Sequence, residues 1–260
     1  MYNTLLIETK DSVATIALNR PEVYNAFDDE MSFELQDALK QVTKDKAIRA
    51  VVLTGSGNKA FCSGQDLKAD RGSEVKSFSD SVNKRYNPII RLITQMPKPV
   101  ICRLNGVAAG AGCSLALACD IIIASENASL IEVFIHIGLV PDSGSSFFLS
   151  RNLSYQKAFE LATRGTKLSA REALELGLIN KAVKPEELDA AINAEAAFYA
   201  SAPTKAIALI KKMLQKGMTA SLDSALNYEA YCQQIAGSTG DYKEGVKAFL
   251  GKRKPEFKGE

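Results

Sequence analysis

Several features are absent from this sequence, and each absence narrows its function. A single histidine makes a His-based catalytic triad or a histidine-rich metal site unexpected. The P-loop pattern G-x-x-x-x-G-K-[ST] does not occur. Lys and Arg total 32 against 30 Asp and Glu. The net charge of +2 is too small an excess of positive charge to indicate binding to nucleic acid or to an anionic membrane. No apolar run reaches the ~18 residues of a membrane span.

The cysteines and the N-terminus predict a compartment. The five cysteines form no Cys-x-x-Cys pair and their number is odd, which favours free, mostly buried thiols in a reducing cytoplasm. The first residues lack a basic segment followed by an apolar stretch, so no signal peptide is expected. With 260 residues, 46% hydrophobic and 24% charged, the chain is long enough to bury a sizeable α/β core.

Strand and helix patterns alternate in the first part of the chain. β-branched and apolar runs predict strands at residues 5–8, 13–18, 50–54, 99–104 and 120–124. Apolar residues at helical spacing predict a helix over residues 31–42, capped by Asp28 or Asp29, and helices over 86–95 and 110–118. The polar segment Arg71–Ser81 is predicted to be a mobile loop or lid.

From Ser154 onward the pattern is mostly helical. Helices are predicted over residues 156–163, 170–176, 186–201, 204–216 and 221–236. This change predicts a core over residues 1–200 and a helical C-terminal subdomain over residues 201–260, together forming a single structural unit.

Two glycine-rich segments are candidates for chemistry. Ala60–Leu67 and Asn105–Gly112 each follow a predicted strand and lead toward a helix. Such turns leave backbone N–H groups without intrahelical partners, and two amides that converge from two loops can hold one developing oxyanion. The alternative is that these glycines serve only tight turns and close helix packing.

Asp142 is the second candidate. It lies in the Pro/Gly segment Leu139–Ser146, after an apolar stretch that could raise its pKa and suit it to general acid/base work. The alternative is a solvated turn or a helix N-cap, the commoner role of an Asp before Ser and Gly. His136 is interpreted as structural, with a role as base left open, and Glu132 could face the same site. The basic residues near the C-terminus are either a solvated face or a phosphate contact: Lys243, Lys247, Lys252, Arg253 and Lys254.

Three segments together resemble the enoyl-CoA hydratase/isomerase (crotonase) superfamily over nearly the whole chain. Leu18–Pro21 with Tyr24–Phe27 resembles its CoA-contacting segment, and Ala60–Leu67 resembles its first oxyanion loop. Asn105–Ser114, followed by residues 115–120, resembles the second oxyanion loop. The resemblance implies an α/β fold, a crotonase-like (ClpP/crotonase) spiral of ββα units with a helical C-terminal trimerisation subdomain.

The resemblance also implies roles for individual residues. The oxyanion donors fall on the amides of Gln65 and Ala111, and Asp142 matches a position that some members use as acid/base or nucleophile. Substrate and CoA contacts are implied at Tyr24, Ala26, Ala60, Ser63, Gly64, Asp66, Leu67, Gly110, Phe249 and Lys252, the last two in the C-terminal helix of the same or a neighbouring subunit. The implied acyl pocket includes Ser114, Glu132, Phe134 and Pro141.

The departures from the family pattern favour isomerisation over hydration. Hydratases of the family use two glutamates, whose positions fall here on Ser114 and Phe134. Ser145-Ser146 stands where the family usually has Gly and Thr or another small pair. Further matches at residues 85–88, 97–102 and 241–246 resemble members that convert the ring-epoxide of phenylacetyl-CoA to an oxepin. That activity is similar to the shift of a 3-enoyl double bond to the 2-position.

The resemblance implies an acyl-CoA substrate, no metal and no separate cofactor, since CoA enters with the substrate. It implies a homotrimer or a hexamer formed by two trimers, without nucleic-acid or membrane partners. Two alternatives remain: a hydratase, lyase or hydrolase of the same fold, and a non-catalytic member that binds a partner or RNA. The near-neutral charge argues against RNA.

Overall fold

A computed structural model of the chain describes residues 2–69 and 77–260. Its first element is a hairpin of strands β1 (Leu5–Lys10) and β2 (Val13–Leu18), which pair antiparallel. The turn places Asp11 and Ser12 at φ values of 48° and 63°. Both predicted strands are confirmed, and β2 alternates fully and partly buried residues as a sheet with one covered face requires.

Helix α1 (Asp29–Lys44) crosses the first sheet and confirms the predicted apolar stripe. The Asp28 side chain accepts a hydrogen bond from the Met31 amide at 2.8 Å, so Asp28 is the N-cap. Met31, Leu35, Leu39 and Val42 point into the core, at the helical spacing that the sequence shows.

The first sheet has the order β1-β2-β3-β5-β7-β10, in which every pair after the hairpin is parallel. Its added strands are β3 (Ala50–Gly55), β5 (Val100–Leu104), β7 (Ile121–Ser125) and β10 (Lys181–Val183). All six residues of β3 are buried, which accounts for its continuous apolar run. Because parallel strands end at the same edge, the loops after β3 and β5 lie side by side.

The second sheet consists of short strands that the sequence pattern does not indicate. In order these are β4 (Ala60–Cys62), β6 (Val107–Ala109), β8 (Ser129–Ile131) and β9 (Leu168–Ser169). Strands of two or three residues are too short to show a period of two, so no periodicity argument could find them. Each of β4, β6 and β8 follows a strand of the first sheet, which confirms the predicted spiral of ββα units.

The segment Arg71–Ser81 was predicted to be a loop or lid, and the part of it that the structure describes is helical. Residues 71–76 of the predicted lid lie outside the described residues. The remainder is not a loop, because Phe78–Ser81 forms the short helix α2, capped by the Ser77 hydroxyl, which accepts from the Asp80 amide at 3.1 Å. A π-helical turn, Val82–Tyr86, then leads into α3 (Asn87–Gln95).

Helix α4 (Ala111–Leu117) starts where predicted, and α5 (Ser145–Asn152) follows Asp142 without a signal in the sequence pattern. The remaining helices are α6 (Tyr155–Arg164), α7 (Ala170–Glu175), α8 (Leu188–Ser201), α9 (Thr204–Gly217), α10 (Leu222–Gly237) and α11 (Gly240–Leu250). The mostly helical pattern predicted after Ser154 is confirmed, and two short strands that the pattern does not indicate, β9 and β10, complete the two sheets. Within the described ranges, no helix is long and apolar enough to cross a bilayer.

Helix α8 belongs to the layer that covers the first sheet. Its buried residues Leu188, Ile192 and Ala196 pack against Val52, Ile101 and Ile123 of that sheet. The helices after residue 203 pack mainly on one another, α9 against α10 and α10 against α11. The proposed division near residue 200 stays a prediction, and this packing is consistent with it.

At Gly112, helix α4 packs against strand β4 so closely that there is no room for a side chain. A Cβ at Gly112 would lie 2.1 Å from the Cys62 carbonyl oxygen, a backbone atom that cannot turn aside. We expect Gly112→Ala to lower the free energy of unfolding by roughly 1–3 kcal/mol. The control Gly217→Ala, which places its methyl in open space, should be neutral or stabilise by up to about 1 kcal/mol. Equal urea midpoints for the two variants would contradict this account of the contact.

Candidate active site

The two glycine-rich loops meet at Gly64. This residue has φ of 90°, and a Cβ there would lie 2.8 Å from the Ala109 carbonyl oxygen and 3.4 Å from the Ala111 nitrogen. Glycine is therefore required both for the left-handed backbone and for the close approach. The two segments that the sequence singled out lie in direct contact.

The backbone N–H groups of Gln65 and Ala111 are not directed at acceptors in their own strand pair or helix. Phe27 donates to the Gly64 carbonyl at 2.7 Å and accepts from the Asp66 amide at 2.8 Å. In this parallel bridge the amide of Gln65, between them, points to the opposite side. Ala111 is the first residue of α4, and amides of a first helical turn have no intrahelical acceptor.

Both amides border a largely apolar cavity of about 210 Å³. Eight residues predicted for the site line it: Ser63, Gly64, Gln65, Leu67, Gly110, Ala111, Phe134 and Asp142. Nine others line it without having been predicted as substrate contacts: Phe78, Ser81, Val82, Arg85, Tyr86, Val133, His136, Ile137 and Leu139. Asp142 is the one carboxylate among these seventeen described lining residues.

Asp142 lies in a tight turn before α5. Its carbonyl accepts from the Ser145 amide at 3.0 Å, and Ser143 and Gly144 between them adopt φ values of 52° and 85°. The Ser143 hydroxyl donates to Oδ1 of Asp142 at 2.7 Å. Burial raises the pKa of Asp142 above its ordinary value, and the Ser143 hydrogen bond opposes part of that rise. The N-cap alternative is not observed, since Gly144 caps α5.

This combination of two converging loops, an apolar cavity and one carboxylate accompanies a match over residues 8–260 to the family model described as enoyl-CoA hydratase/isomerase. The chain belongs to the enoyl-CoA hydratase/isomerase family. A 1,2-epoxyphenylacetyl-CoA isomerase of Escherichia coli (strain K12) is 42% identical over 100% of both chains. A probable enoyl-CoA hydratase of Rhodobacter capsulatus is 40% identical over 99% of each. The crystal structure of an enoyl-CoA hydratase from Bacillus anthracis matches with a TM-score of 0.94 and 34% identity, covering 99% of this chain and 100% of that one.

Tyr86 lines the cavity of this family member although the sequence pattern does not predict it as a site residue. The π-helical turn brings it inward, where its hydroxyl donates to the side-chain carbonyl of Gln65. Its ring packs edge-on against Phe27, with centroids 5.6 Å apart. Burial and the nearby Asp142 charge raise the pKa of Tyr86 well above its ordinary value, so it remains a neutral donor. A π-helical turn is frequent at functional sites but has no simple sequence signature.

Arg85 and His136 also border the cavity, with their polar atoms engaged elsewhere. Arg85 forms an ion pair with Asp29 and donates to the Ser81 hydroxyl at 3.2 Å. Nε2 of His136 lies 3.1 Å from the Arg164 carbonyl oxygen, which agrees with its structural interpretation. Across residues 2–69 and 77–260, no cluster of three or more potential metal-ligating side chains is present.

Seven of the predicted contacts lie outside this cavity, and two more, Phe249 and Lys252, lie at the C-terminus. Ser114 and Glu132 are buried behind the cavity, and Pro141 precedes Asp142 without lining it. Asp66 turns away to an ion pair with Arg20 at 3.1 Å, and the Ala26 carbonyl accepts from the same arginine. Tyr24 and Ala60 line a separate surface pocket of about 280 Å³.

Within this chain, neither of the two predicted C-terminal contacts lines the cavity. Phe249 lines a groove of about 710 Å³ beside α10 and α11. Lys252 does not lie in the helix as predicted, because α11 ends at Leu250 and Lys252 follows it in a turn with φ of 51°.

Asp142→Asn should stabilise this family member at neutral pH. A raised pKa means that the folded state binds the Asp142 proton more tightly than the unfolded state does. Stability is therefore lost as the pH rises from the ordinary Asp pKa through the raised one. The Asn variant escapes that loss, so its advantage, on the order of 1 kcal/mol, should be larger at pH 7 than below the ordinary Asp pKa.

Urea unfolding at several pH values checks this, with exposed Asp223→Asn as the control for the chemical change. An advantage of Asp142→Asn that shrinks as the pH rises would contradict the burial of this carboxylate as its cause.

Proposed function

We propose that this chain is an acyl-CoA isomerase in which Asp142 moves one proton while the amides of Gln65 and Ala111 hold the thioester oxygen. The observation that carries the proposal is that one carboxylate, Asp142, faces an apolar cavity bordered by both amides. The 42% identical relative named as an isomerase supports the same reaction class.

The geometry suits a proton shuttle that needs one acid/base group. Asp142 as carboxylate removes a proton next to the thioester carbonyl, and the electron pair moves into the carbonyl as an enolate. The two amides stabilise the developing oxyanion, where the loss of one donor typically costs ~3–4 kcal/mol. Protonated Asp142 then returns the proton to another carbon, so atoms balance. The raised pKa of Asp142 brings it closer to the operating pH, which favours transfer in both directions.

Tyr86, which lines the cavity, holds the residue that carries one of the two amides, Gln65. Its hydrogen bond to the Gln65 side chain and its contact with Phe27 tie the first oxyanion loop to the π-helical turn. A fixed donor needs no reorganisation as charge develops, which is the physical basis of oxyanion stabilisation.

Hydration is the second candidate because several relatives are named hydratases, among them the 40% identical protein of Rhodobacter capsulatus. The residues that face the cavity do not favour it. By resemblance, the two hydratase glutamates correspond to Ser114, which is fully buried behind the cavity, and Phe134, which lines it. A single carboxylate cannot both activate water and protonate the acyl chain from separate positions.

The ring-epoxide of phenylacetyl-CoA and 3-enoyl-CoA esters are the substrates that we propose. We place the CoA portion along the surface between the cavity and the pocket lined by Tyr24 and Ala60. Ser63 joins these regions, since its amide donates to the Tyr24 carbonyl at 3.1 Å. Lys59 in the same pocket offers a positive charge to phosphate. The five free thiols are consistent with the proposed cytoplasmic setting.

Asp142→Asn should lower kcat on the order of 10²–10⁴-fold while leaving binding of a CoA ester within a few-fold. The measurement is turnover of a CoA-ester panel that includes the ring-epoxide, a 3-enoyl and a 2-enoyl ester, with binding measured by calorimetry. His136→Asn is the matched control, because it changes a polar residue at the same cavity whose Nε2 faces a backbone carbonyl.

Near-normal turnover by Asp142→Asn would overturn the assignment. Rapid loss of 2-enoyl absorbance without isomer formation would identify a hydratase. No turnover of any ester by the parent, with CoA-ester binding retained, would favour a binding protein.

We also propose that the C-terminal helices form a homotrimer, alone or paired into a hexamer. The support is a set of large apolar side chains left exposed on α9, α10 and α11: Ile210, Leu214, Leu222, Leu226, Tyr231, Tyr242, Val246, Phe249 and Leu250. An apolar surface of this extent on a single chain is typical of an interface.

Light scattering coupled to size exclusion should give three or six times the chain mass of 28.1 kDa. Phe249→Glu, at a side chain that is 83% exposed, should shift the assembly toward smaller species. The control Tyr155→Glu introduces the same charge at a similarly exposed aromatic residue on α6. A parent protein that elutes as a monomer would contradict the proposed assembly.

A further inference from the structure

A buried chain of hydrogen bonds leads from the backbone of Asp142 away from the cavity. The Ser114 hydroxyl lies 3.1 Å from the Asp142 carbonyl oxygen and 2.9 Å from the Ser145 hydroxyl. The Ser145 hydroxyl in turn lies 2.7 Å from Oε1 of Glu132. Both serines are fully buried and Glu132 is 4% exposed. The chain therefore joins a buried acid to the turn that presents Asp142.

The number of available protons determines which group donates in each of these hydrogen bonds. Its three links require three donated protons, and each serine hydroxyl has only one. If Glu132 is ionised, Ser145 donates to Glu132, and the single Ser114 proton must choose among Ser145, the Asp142 carbonyl and the Gly110 carbonyl, which lies 3.3 Å from its hydroxyl. If Glu132 is neutral, it donates to Ser145, Ser145 donates to Ser114, and Ser114 donates to Asp142. Only the neutral acid satisfies all three links at once.

The surroundings of Glu132 favour the neutral acid. Its Oε2 has no hydrogen-bond partner in the part of the chain that is described, and a buried ionised carboxylate with an unpaired oxygen is costly. The titratable groups that face it are the Cys113 thiol on α4 and Asp142 in the turn, neither of which supplies positive charge. Burial raises the pKa of Glu132; interactions with the Ser145 hydroxyl and the Cys113 thiol oppose part of that rise, and the Asp142 charge adds to it.

The space next to Glu132 offers little solvation. The cavity on its inner side measures about 10 Å³, near the lower limit for one water molecule. Its wall is built mainly from leucines, among them Leu117, Leu149 and Leu161. A space of this size holds at most one water molecule, which solvates a charged carboxylate far less than bulk water does.

We infer that Glu132 is a positioning residue that, as a neutral hydrogen-bond donor, orders Ser145 and Ser114 so that Ser114 donates to the Asp142 carbonyl. Glu132 does not line the cavity, so it acts through the turn and not on the substrate. The Asp142 carbonyl then accepts two hydrogen bonds, from the Ser145 amide and the Ser114 hydroxyl. These fix the turn whose left-handed residues Ser143 and Gly144 would otherwise be free to relax. This inference rests on the proposed role of Asp142.

Glu132→Met and Glu132→Gln together test the inference, because both keep the side-chain length and only Gln can donate. Met should lower kcat about tenfold, with KM changed less than twofold, since a displaced acid/base group loses reactivity while binding is retained. Gln should restore most of the lost kcat. The parent should lose kcat at alkaline pH as Glu132 ionises, and the Gln variant should lack that step.

Difference infrared spectroscopy supplies a readout that does not depend on turnover. The parent and Asp142→Asn should both show the carbonyl stretch of a protonated, buried carboxylic acid at neutral pH, and Glu132→Gln should lack it. Ser145→Ala, which breaks the chain at its middle link, should lower kcat as Glu132→Met does.

Three outcomes would overturn the inference. These are a Gln variant as impaired as Met, a fully active Met variant, and a parent spectrum without the acid band. The two proposals fail separately. An active Asp142→Asn overturns the proposed function, whereas an inactive Asp142→Asn beside a fully active Glu132→Met overturns only the role of Glu132.

Discussion

The backbone of α4 lies directly on the backbone of β4, with no side chain between them, and the rest of the site depends on this contact. A Cβ at Gly112 would overlap the Cys62 carbonyl, and one at Gly64 would crowd the Ala109 carbonyl. Because backbone meets backbone, the amides of Gln65 and Ala111 are held at the border of one cavity by the fold itself. The direction of both amides is set by the backbone, and at position 65 the side chain adds a hydrogen bond with Tyr86.

Much of the fold could be predicted because its longer elements have a clear period. The stripe Met31, Leu35, Leu39 and the buried run of β3 are unambiguous. The second sheet could not be predicted, because strands such as β4 have three residues and are held by neighbours that are distant in the sequence. The glycine-rich segments pointed to the loops, but the reason for each glycine is a contact with the other loop, which a single sequence does not display.

The lining of the cavity was only partly predicted, and the chemical roles of its residues stay predictions. Local turn and glycine patterns made Asp142 and the two loops candidates, and the family resemblance then assigned the amides of Gln65 and Ala111; these residues border the cavity. Tyr86 was missed as a site residue because its inward direction depends on the π-helical turn Val82–Tyr86, which shifts the helical phase by one residue. Glu132 was expected to face the acyl pocket, yet it points to the opposite side, since strand β8 and the turn after it place it against Ser145 and Cys113.

In the proposed mechanism the two carboxyl groups near the site have separate tasks, because half-buried Asp142 and buried Glu132 face different surroundings. Asp142 borders the cavity, where a hydroxyl from Ser143 supports its charged form. Glu132 is enclosed by leucines and has one oxygen without a partner in the described chain, so its neutral form is favoured. Burial raises the pKa of Glu132, and the Asp142 carboxylate adds to that rise. Ser114, at a position where the resemblance implies a glutamate in hydratases, instead contacts the Asp142 carbonyl and the Ser145 hydroxyl, and so connects the two carboxyl-bearing segments in the proposed arrangement.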